Sequence, residues 1–195
     1  MTITNGYATL AELKARADID ISDAEIDSLL EGWVEAASRT MDGETQRTFY
    51  ARSETHYFDI PEGRELRLDD DLLTITSLTN GNGVAIASTD YLTVPKNRAP
   101  YYAIKLTENA SVGWAADSKS NTEAVIALAG TWGRTSTAPA DVEEACLQIA
   151  HSCLKRRYAE NLSSISTVTA AGVVITPQDI PSFAWRVINR YRRRA

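Results

Sequence analysis

The chain has 195 residues, of which 44% are hydrophobic and 24% are charged, and its formal net charge at pH 7 is −6. This size and balance are typical of one globular domain or two small ones, and such a chain needs no disulfide or metal to fold. Two cysteines exclude a disulfide scaffold. No apolar run approaches the roughly 20 residues of a membrane span, and the first ten residues lack the features of a secretory signal. We therefore expect a soluble protein made in a reducing cytoplasm.

Two helices are predicted at the start of the chain. Thr9 and Glu12 have the spacing of a capping box, which predicts a short helix over residues 9–17. A second box begins at Ser22, and apolar residues then recur at helical spacing. This pattern predicts a long amphipathic helix over residues 23–41.

The middle of the chain has a strand-like pattern. From residue 54 to about residue 131 the hydrophobic period is close to two and turn residues punctuate it, which predicts six or seven short strands. Residues 80–83, Asn-Gly-Asn-Gly, predict a hairpin turn followed by a strand over residues 84–87. Residues 109–121 are expected to form a loop.

Two further helices are predicted in the last third of the chain. One begins after Pro139 and runs to about Tyr158, because proline and acidic residues suit a first helical turn. The other begins after Pro177 or Pro181. The Ser- and Thr-rich residues 161–176 between them are compatible with a mobile loop or a loose hairpin.

These elements predict an α+β fold. We expect a bundle of about four helices with a small antiparallel β segment inserted between the second and third helices. The expected divisions are residues 1–53 for the N-terminal helices, 54–133 for the inserted β segment and 134–195 for the C-terminal helices with a basic tail.

The sequence contains no pattern typical of an active site or a metal centre. A structural zinc site needs four ligands close together, and the two cysteines and two distant histidines do not provide such a cluster; Cys146 and Cys153 are expected to be core residues of one helix. No phosphate-binding glycine loop or nucleophile elbow is present. The Asp69-Asp70-Asp71 run is interpreted as a solvated turn, with a cation site as the alternative. We therefore expect no catalysis, no cofactor and no metal.

Charge is distributed unevenly along the chain. Residues 1–150 contain 12 Lys and Arg against 24 Asp and Glu, whereas residues 151–195 contain 8 against 2. A basic C-terminal quarter on an acidic body indicates a surface that faces a negative partner, although a solvated helix end would also attract basic residues. Arginine and aromatic residues together are typical of interface anchors. The predicted partner-binding residues are Trp185, Arg186, Arg190, Tyr191, Arg192, Arg193 and Arg194.

Four stretches, taken in their order and spacing, resemble a known family. They are residues 7–14, residues 36–50, residues 68–92, and the run from Gly130-Thr131-Trp132-Gly133 to residue 158, followed by Pro181 and the arginine-rich end. In these features the chain resembles the tailed-phage head–tail connector proteins, also called adaptor or head-completion proteins. The resemblance spans nearly the whole chain except residues 161–176.

This resemblance implies a structural virion protein at the head–tail interface. It implies a ring of twelve subunits beneath the portal protein, which extends the DNA channel and provides a platform for the next head-completion (stopper) or tail protein. Double-stranded DNA would pass through without specific binding, and no membrane is involved. In this family the C-terminal region commonly reaches the portal, which here corresponds to Trp185 to Arg194.

Two expectations about assembly follow. We expect a monomer or small oligomer in isolation and a ring only on the portal. We also expect the C-terminal tail to be mobile until it docks. Removal of residues 182–195 is expected to leave the fold intact and to abolish docking.

Three alternatives stay open at this stage. The first is a tail-side completion protein. The second is a small nucleic-acid-binding module that uses the C-terminal arginines, for which salt-dependent DNA binding is the distinguishing observation. The third is an enzyme with dispersed carboxylates, for which stabilisation by a metal would be the sign.

Overall fold

Capping residues determine where the first two helices begin. The structure, a computed structural model, describes residues 3–20, 23–160, 167–168, 174–175 and 180–193. The Thr9 hydroxyl accepts a hydrogen bond from the backbone N–H of Glu12, and the Glu12 carboxylate accepts one from the backbone N–H of Thr9, which confirms the capping box. The second helix is capped by Asp23, whose carboxylate accepts from two backbone N–H groups. Ser22 lies outside the described residues.

Four helices are described. They are α1 (Leu10–Ala17), α2 (Ala24–Thr45), α3 (Ala140–Glu160) and α4 (Ser182–Tyr191). The predicted positions are confirmed, except that α2 continues past residue 41, its predicted end, to Thr45. Pro181 caps α4; Pro177, the other predicted start, lies outside the described residues.

The chain divides into two units, each with its own core. The helical unit consists of residues 1–47 and 138–195, and the β unit consists of residues 48–137. In the helical unit, α2 and α3 pack together through apolar residues that are fully buried, and α1 and α4 pack against this pair. The buried residues of the two long helices include Leu30, Val34, Met41, Val142, Ala145 and Cys146.

The β unit is a five-stranded antiparallel sheet. Its strands are β1 (Arg52–Phe58), β2 (Glu65–Thr79), β3 (Tyr91–Val94), β4 (Tyr101–Leu106) and β5 (Ile126–Trp132), in the order β1-β5-β2-β4-β3. The long strand β2 pairs with β4 through its first half and with β5 through its second half. Trp132 is fully buried in the core of this unit, where its indole stacks on the His56 ring at 3.8 Å between centroids.

The expected fold class is wrong. The β unit is not a small insert in a helical bundle, because it forms a sheet of five strands around its own hydrophobic core. The sequence predicts two short strands separated at Asp69-Asp70-Asp71, because this run is interpreted as a solvated turn. These three aspartates lie inside β2, where the pairing register with β4 shifts. A bulge of this kind takes polar residues without ending the strand, so what looked like two short strands is one strand of 15 residues.

Two shorter predictions in the middle of the chain have different outcomes. The turn at residues 80–83 is confirmed, because the backbone N–H groups of Asn80 and Gly83 close it with bonds of 2.9 and 2.8 Å. The strand expected at residues 84–87 is wrong, since Ala85 forms only an isolated bridge with Thr79. Residues 109–121 lie outside the sheet, as expected.

The segment between α3 and α4 is described only in part. Within it, β6 (Thr167–Val168) pairs antiparallel with β7 (Val174–Ile175). The remainder of the predicted loop or hairpin, residues 161–166, 169–173 and 176, lies outside the described residues.

Candidate partner-binding surface

The predicted partner-binding residues lie on and just after α4, which is strongly amphipathic. Ala184, Val187 and Ile188 recur at helical spacing and are buried, so this face is part of the core of the helical unit. The opposite face carries Arg186 and Arg190, both exposed. The helix thus presents arginines to solvent while its apolar residues hold it against α2 and α3.

The structure shows α4, which lies within the expected mobile tail of residues 182–195, packed against α2 and α3, and the mobility of this tail before docking stays a prediction. An element that buries three apolar side chains in a core is a structural element of that core. Removal of α4 would expose the apolar surface of α2 and α3 that it covers. The sequence suggested a tail because its arginines dominate its composition, whereas its three buried positions are small or aliphatic residues dispersed among them.

Asp141, in the first turn of α3, holds the end of α4. The Tyr191 hydroxyl donates to the Asp141 carboxylate, with O–O distances of 3.0 and 3.2 Å to the two oxygens. Arg190 Nη1 lies 3.2 Å from the same carboxylate. The Arg190 guanidinium also lies 5.6 Å from the centre of the Tyr191 ring. Two of the predicted partner-binding residues are therefore already engaged inside the chain.

The residues after α4 pair with the end of α2. Arg192 Nη2 lies 2.7 Å from the Glu44 carboxylate, and Arg192 Nε donates to the Glu44 carbonyl at 3.0 Å. The same guanidinium lies 5.9 Å from the Trp185 ring. The backbone N–H of Arg193 donates to the Thr45 carbonyl at 2.9 Å. Arg190 and Arg192 are thus each paired with a carboxylate of the chain, whereas the C-terminal arginines were expected to be available to a partner.

Arg186 differs from the other described arginines of this group. Its guanidinium lies 5.7 Å from the Phe183 ring, one helical turn away, and its side chain is exposed. Within the described part of the chain, no carboxylate forms an ion pair with it. Arg194 lies outside the described residues. Arg186, which lies beside the Phe183 ring, is therefore the α4 residue whose positive charge is available to another molecule.

Sequence reasoning missed the acidic partners of these arginines. Asp141 is predicted only as one of the acidic residues that suit the first turn of α3, and the sequence pattern predicts no role for Glu44. Both lie more than 45 residues before their arginine partners. The excess of arginines after residue 185 indicates that acidic partners exist, but it does not show which residues these partners are.

The acidic run in β2 contacts a histidine and an arginine of β1. Asp69 lies 3.2 Å from His56 Nδ1, and Asp70 pairs with Arg52. Among the described residues no group of three His, Cys, Asp or Glu side chains converges as a metal site would require. An open cleft of about 710 Å³, lined by residues 58–67 and Lys105, is bordered by mixed charges.

Cys146 behaves as a core residue. It is fully buried, and its Sγ lies 3.4 Å from the Ser38 hydroxyl. Burial raises the pKa of this thiol to about 11, so the reactive thiolate is disfavoured. None of the helices in the described ranges has the length and apolar character that crossing a membrane requires.

Comparison with known proteins extends these observations. No protein-family model matches the chain, and no curated protein matches it. A chain in the neck of an empty gene transfer agent particle, computed with C6 symmetry, is 14% identical, with a TM-score of 0.58 over 98% of this chain and 92% of that chain. A chain in the virion of a native gene transfer agent particle is 17% identical, with the same TM-score and coverage. At these identities the likeness concerns the fold: nearly the whole of this chain has the fold of a chain found in gene transfer agent particles.

Proposed function

We propose that this protein is a structural, non-catalytic component of the neck that joins head and tail in a phage-like particle. The observation that carries the proposal is the shared fold over 98% of the chain with a chain of a gene transfer agent neck. The resemblance of the sequence to head–tail connectors supports the same role from separate features. The protein would act at the head–tail interface of the virion.

In this proposal the protein forms a ring beneath the portal. A neck computed with C6 symmetry is compatible with rings of six or of twelve copies, because a twelvefold ring contains the sixfold operation. The ring extends the DNA channel and provides the platform for the next head-completion or tail protein. The isolated chain is a monomer or small oligomer, and many weak contacts act together once the ring forms on the portal.

The α4 surface is the proposed contact with the portal. Phe183 and Arg186 provide an exposed arginine over an aromatic ring, which is a common composition of interface anchors. The residues from Arg190 to Arg193 position this surface by binding Asp141 and Glu44. The net negative charge of the chain would keep adhesion of DNA to a channel wall weak, because DNA affinity depends on phosphate contacts.

Two alternatives to this proposal would have a different partner. A nucleic-acid module that uses the C-terminal arginines is disfavoured, because Arg190 and Arg192 already pair with carboxylates of the chain. A tail-side completion protein would share the fold and the ring, and would bind a tail protein instead of the portal.

The test is complex formation with the portal protein encoded in the same genome. We expect the full-length chain to co-elute with the portal as a ring whose copy number native mass spectrometry gives directly. Arg186→Glu should weaken the complex at least tenfold, because it places a negative charge where the proposal requires a positive one. The matched control is Lys155→Glu, the same charge reversal at an exposed position of α3, which should leave binding unchanged.

The outcomes separate the candidate partners. No complex with the portal at any salt concentration, together with a complex with a tail protein, would favour the tail-side alternative. Equal effects of the two charge reversals on binding would show that α4 is not part of the contact with the portal.

A further inference from the structure

One part of the β unit has a composition unlike the rest of the chain. Residues 91–106 form β3, a turn at residues 95–100, and β4, and we call them the β3–β4 hairpin. The hairpin contains Lys96, Arg98 and Lys105 and no Asp or Glu, in a chain that has 26 acidic residues. It is therefore a basic element of an acidic protein.

The cations of the hairpin are not neutralised inside the chain. Lys96 and Arg98 are exposed in the turn, and among the described residues no carboxylate forms an ion pair with either of them or with Lys105. This is the opposite of the arrangement at the end of α4, where Asp141 and Glu44 bind Arg190 and Arg192. The available positive charge of the described chain is thus concentrated here more than at the C-terminal end.

The strand pairing adds a fourth cation to the hairpin. Arg67 of β2 is the register partner of Ala103, which is in turn the partner of Val94 of β3, so these three residues form one row across the sheet. The Arg67 side chain is 88% exposed. Glu65 lies opposite Lys105 and is 3.7 Å from the Arg67 guanidinium. Asp59 and Glu62 line the same cleft as Lys105.

The carboxylates that flank the hairpin, Asp90 and Glu108, have other partners in the chain, as do Asp69 and Asp70 of the bulge in β2. Tyr102 of the hairpin is 53% exposed. The hairpin therefore combines separated cations with an exposed aromatic ring.

We propose that the β3–β4 hairpin contacts the phosphate backbone of double-stranded DNA. The hairpin is a two-stranded ribbon with its cations at the turn and along one face, and it has no side-chain set that would recognise particular bases. Its contacts would be independent of DNA sequence, weak and sensitive to salt. This inference rests on the proposed function, since it identifies the element of a neck subunit that meets the DNA passing through.

The test is binding of the full-length chain to a fluorescent 30-base-pair duplex, followed by anisotropy between about 20 and 200 mM NaCl. Neutralisation of about three to four phosphates predicts a slope of about −3 for the logarithm of the association constant against that of the salt concentration. Lys96→Gln combined with Arg98→Gln should lower affinity at 20 mM salt about tenfold and make the slope less steep by about 2. Both positions are exposed turn residues, so the melting temperature should not change.

The matched control is Lys119→Gln combined with Lys155→Gln, which removes the same charge at exposed positions outside the hairpin and should leave DNA binding unchanged. Absence of binding at 20 mM salt would overturn the inference, as would an equal loss of binding in the hairpin variant and the control. Hairpin-dependent binding to polyglutamate without binding to DNA would overturn it in favour of an acidic protein partner. Complex formation with the portal should be unaffected by the hairpin variant, so failure here is distinguishable from failure of the proposed function.

Discussion

Asn80 joins stretches of the β unit that are more than thirty residues apart. Its side-chain nitrogen donates to the Gly113 carbonyl at 2.6 Å, and its side-chain oxygen accepts from the backbone N–H groups of Gly81 and Ala115 at 3.1 and 2.8 Å. The side chain is almost fully buried. The sequence identified this residue as part of a turn, but its role in holding the loop over residues 109–121 depends on a contact that spacing does not reveal.

Replacing Asn80 with alanine should therefore destabilise the β unit. We expect Asn80→Ala to lower the free energy of unfolding by about 2–3 kcal/mol, because it leaves three backbone groups without their partner. Asn82→Ala is the control, since Asn82 is exposed and accepts a single bond from Val84 N–H. Urea denaturation measures both, and equal effects of the two substitutions would contradict this account.

Glu144 and Arg16 provide a prediction for pH. Two hydrogen bonds of 2.7 Å from the Arg16 guanidinium, with a further bond from Gln148, lower the pKa of Glu144 from its ordinary value of 4.5. A carboxyl group with a lowered pKa in the folded state stabilises the fold above pH 4.5, and this stabilisation is lost as the pH falls through the folded pKa.

The unfolding free energy should thus decrease as the pH is lowered below about 4.5, and part of this decrease should be absent in Glu144→Gln. Since the Glu144 side chain is 39% exposed, we expect a contribution below about 1 kcal/mol. Chemical denaturation at a series of pH values measures it. Identical pH profiles of the two proteins would exclude the ion pair as a source of stability.

Helix α4 shows which features of an element a sequence reveals. Its existence and its start near Pro181 were predicted, because apolar spacing and proline are local signals. Its attachment to α2 and α3 was not predicted, because the carboxylates that bind it lie more than 45 residues away along the chain. Among the predicted partner-binding residues that the structure describes, Arg186 is left without a carboxylate, and only the structure distinguishes it from its neighbours.

The packing of α4 is tested by removing one buried side chain. Ile188→Ala should lower the free energy of unfolding by about 2–4 kcal/mol, because Ile188 is fully buried in the helical unit. Asn189→Ala, at the adjacent exposed position, should change it by less than about 0.5 kcal/mol. Thermal and urea unfolding provide the comparison. A protein that tolerates Ile188→Ala as well as Asn189→Ala would have α4 detached from the core in solution.

For the whole molecule, the order of helices and strands was predictable and the balance between them was not. Helical and strand periods alternate clearly enough to place α1 to α4 around a β region. Whether strands form a small insert or an independent unit depends on long-range pairing, which local pattern does not contain. The aspartates inside β2 made the extent of the sheet harder to predict, because a run of three carboxylates is typical of a turn, whereas here it occupies a bulge.

The fold contains elements that could meet each requirement of the proposed role. A neck subunit needs a stable body, a surface for its neighbours and a side that faces DNA. In this account the helical unit supplies the α4 surface and the β unit supplies the β3–β4 hairpin. These are separate elements, so substitutions can remove either contact while leaving the other in place.

The most direct test is to locate the protein in the assembled particle. Particles carrying this chain should be imaged by cryo-electron microscopy, with the neck reconstructed under sixfold symmetry and the chain fitted without prior placement. The account predicts a ring of this chain between the portal and the first tail component, with density for both its helical unit and its β unit. Density for the chain in the tail or in the capsid shell, with a different protein beneath the portal, would contradict it.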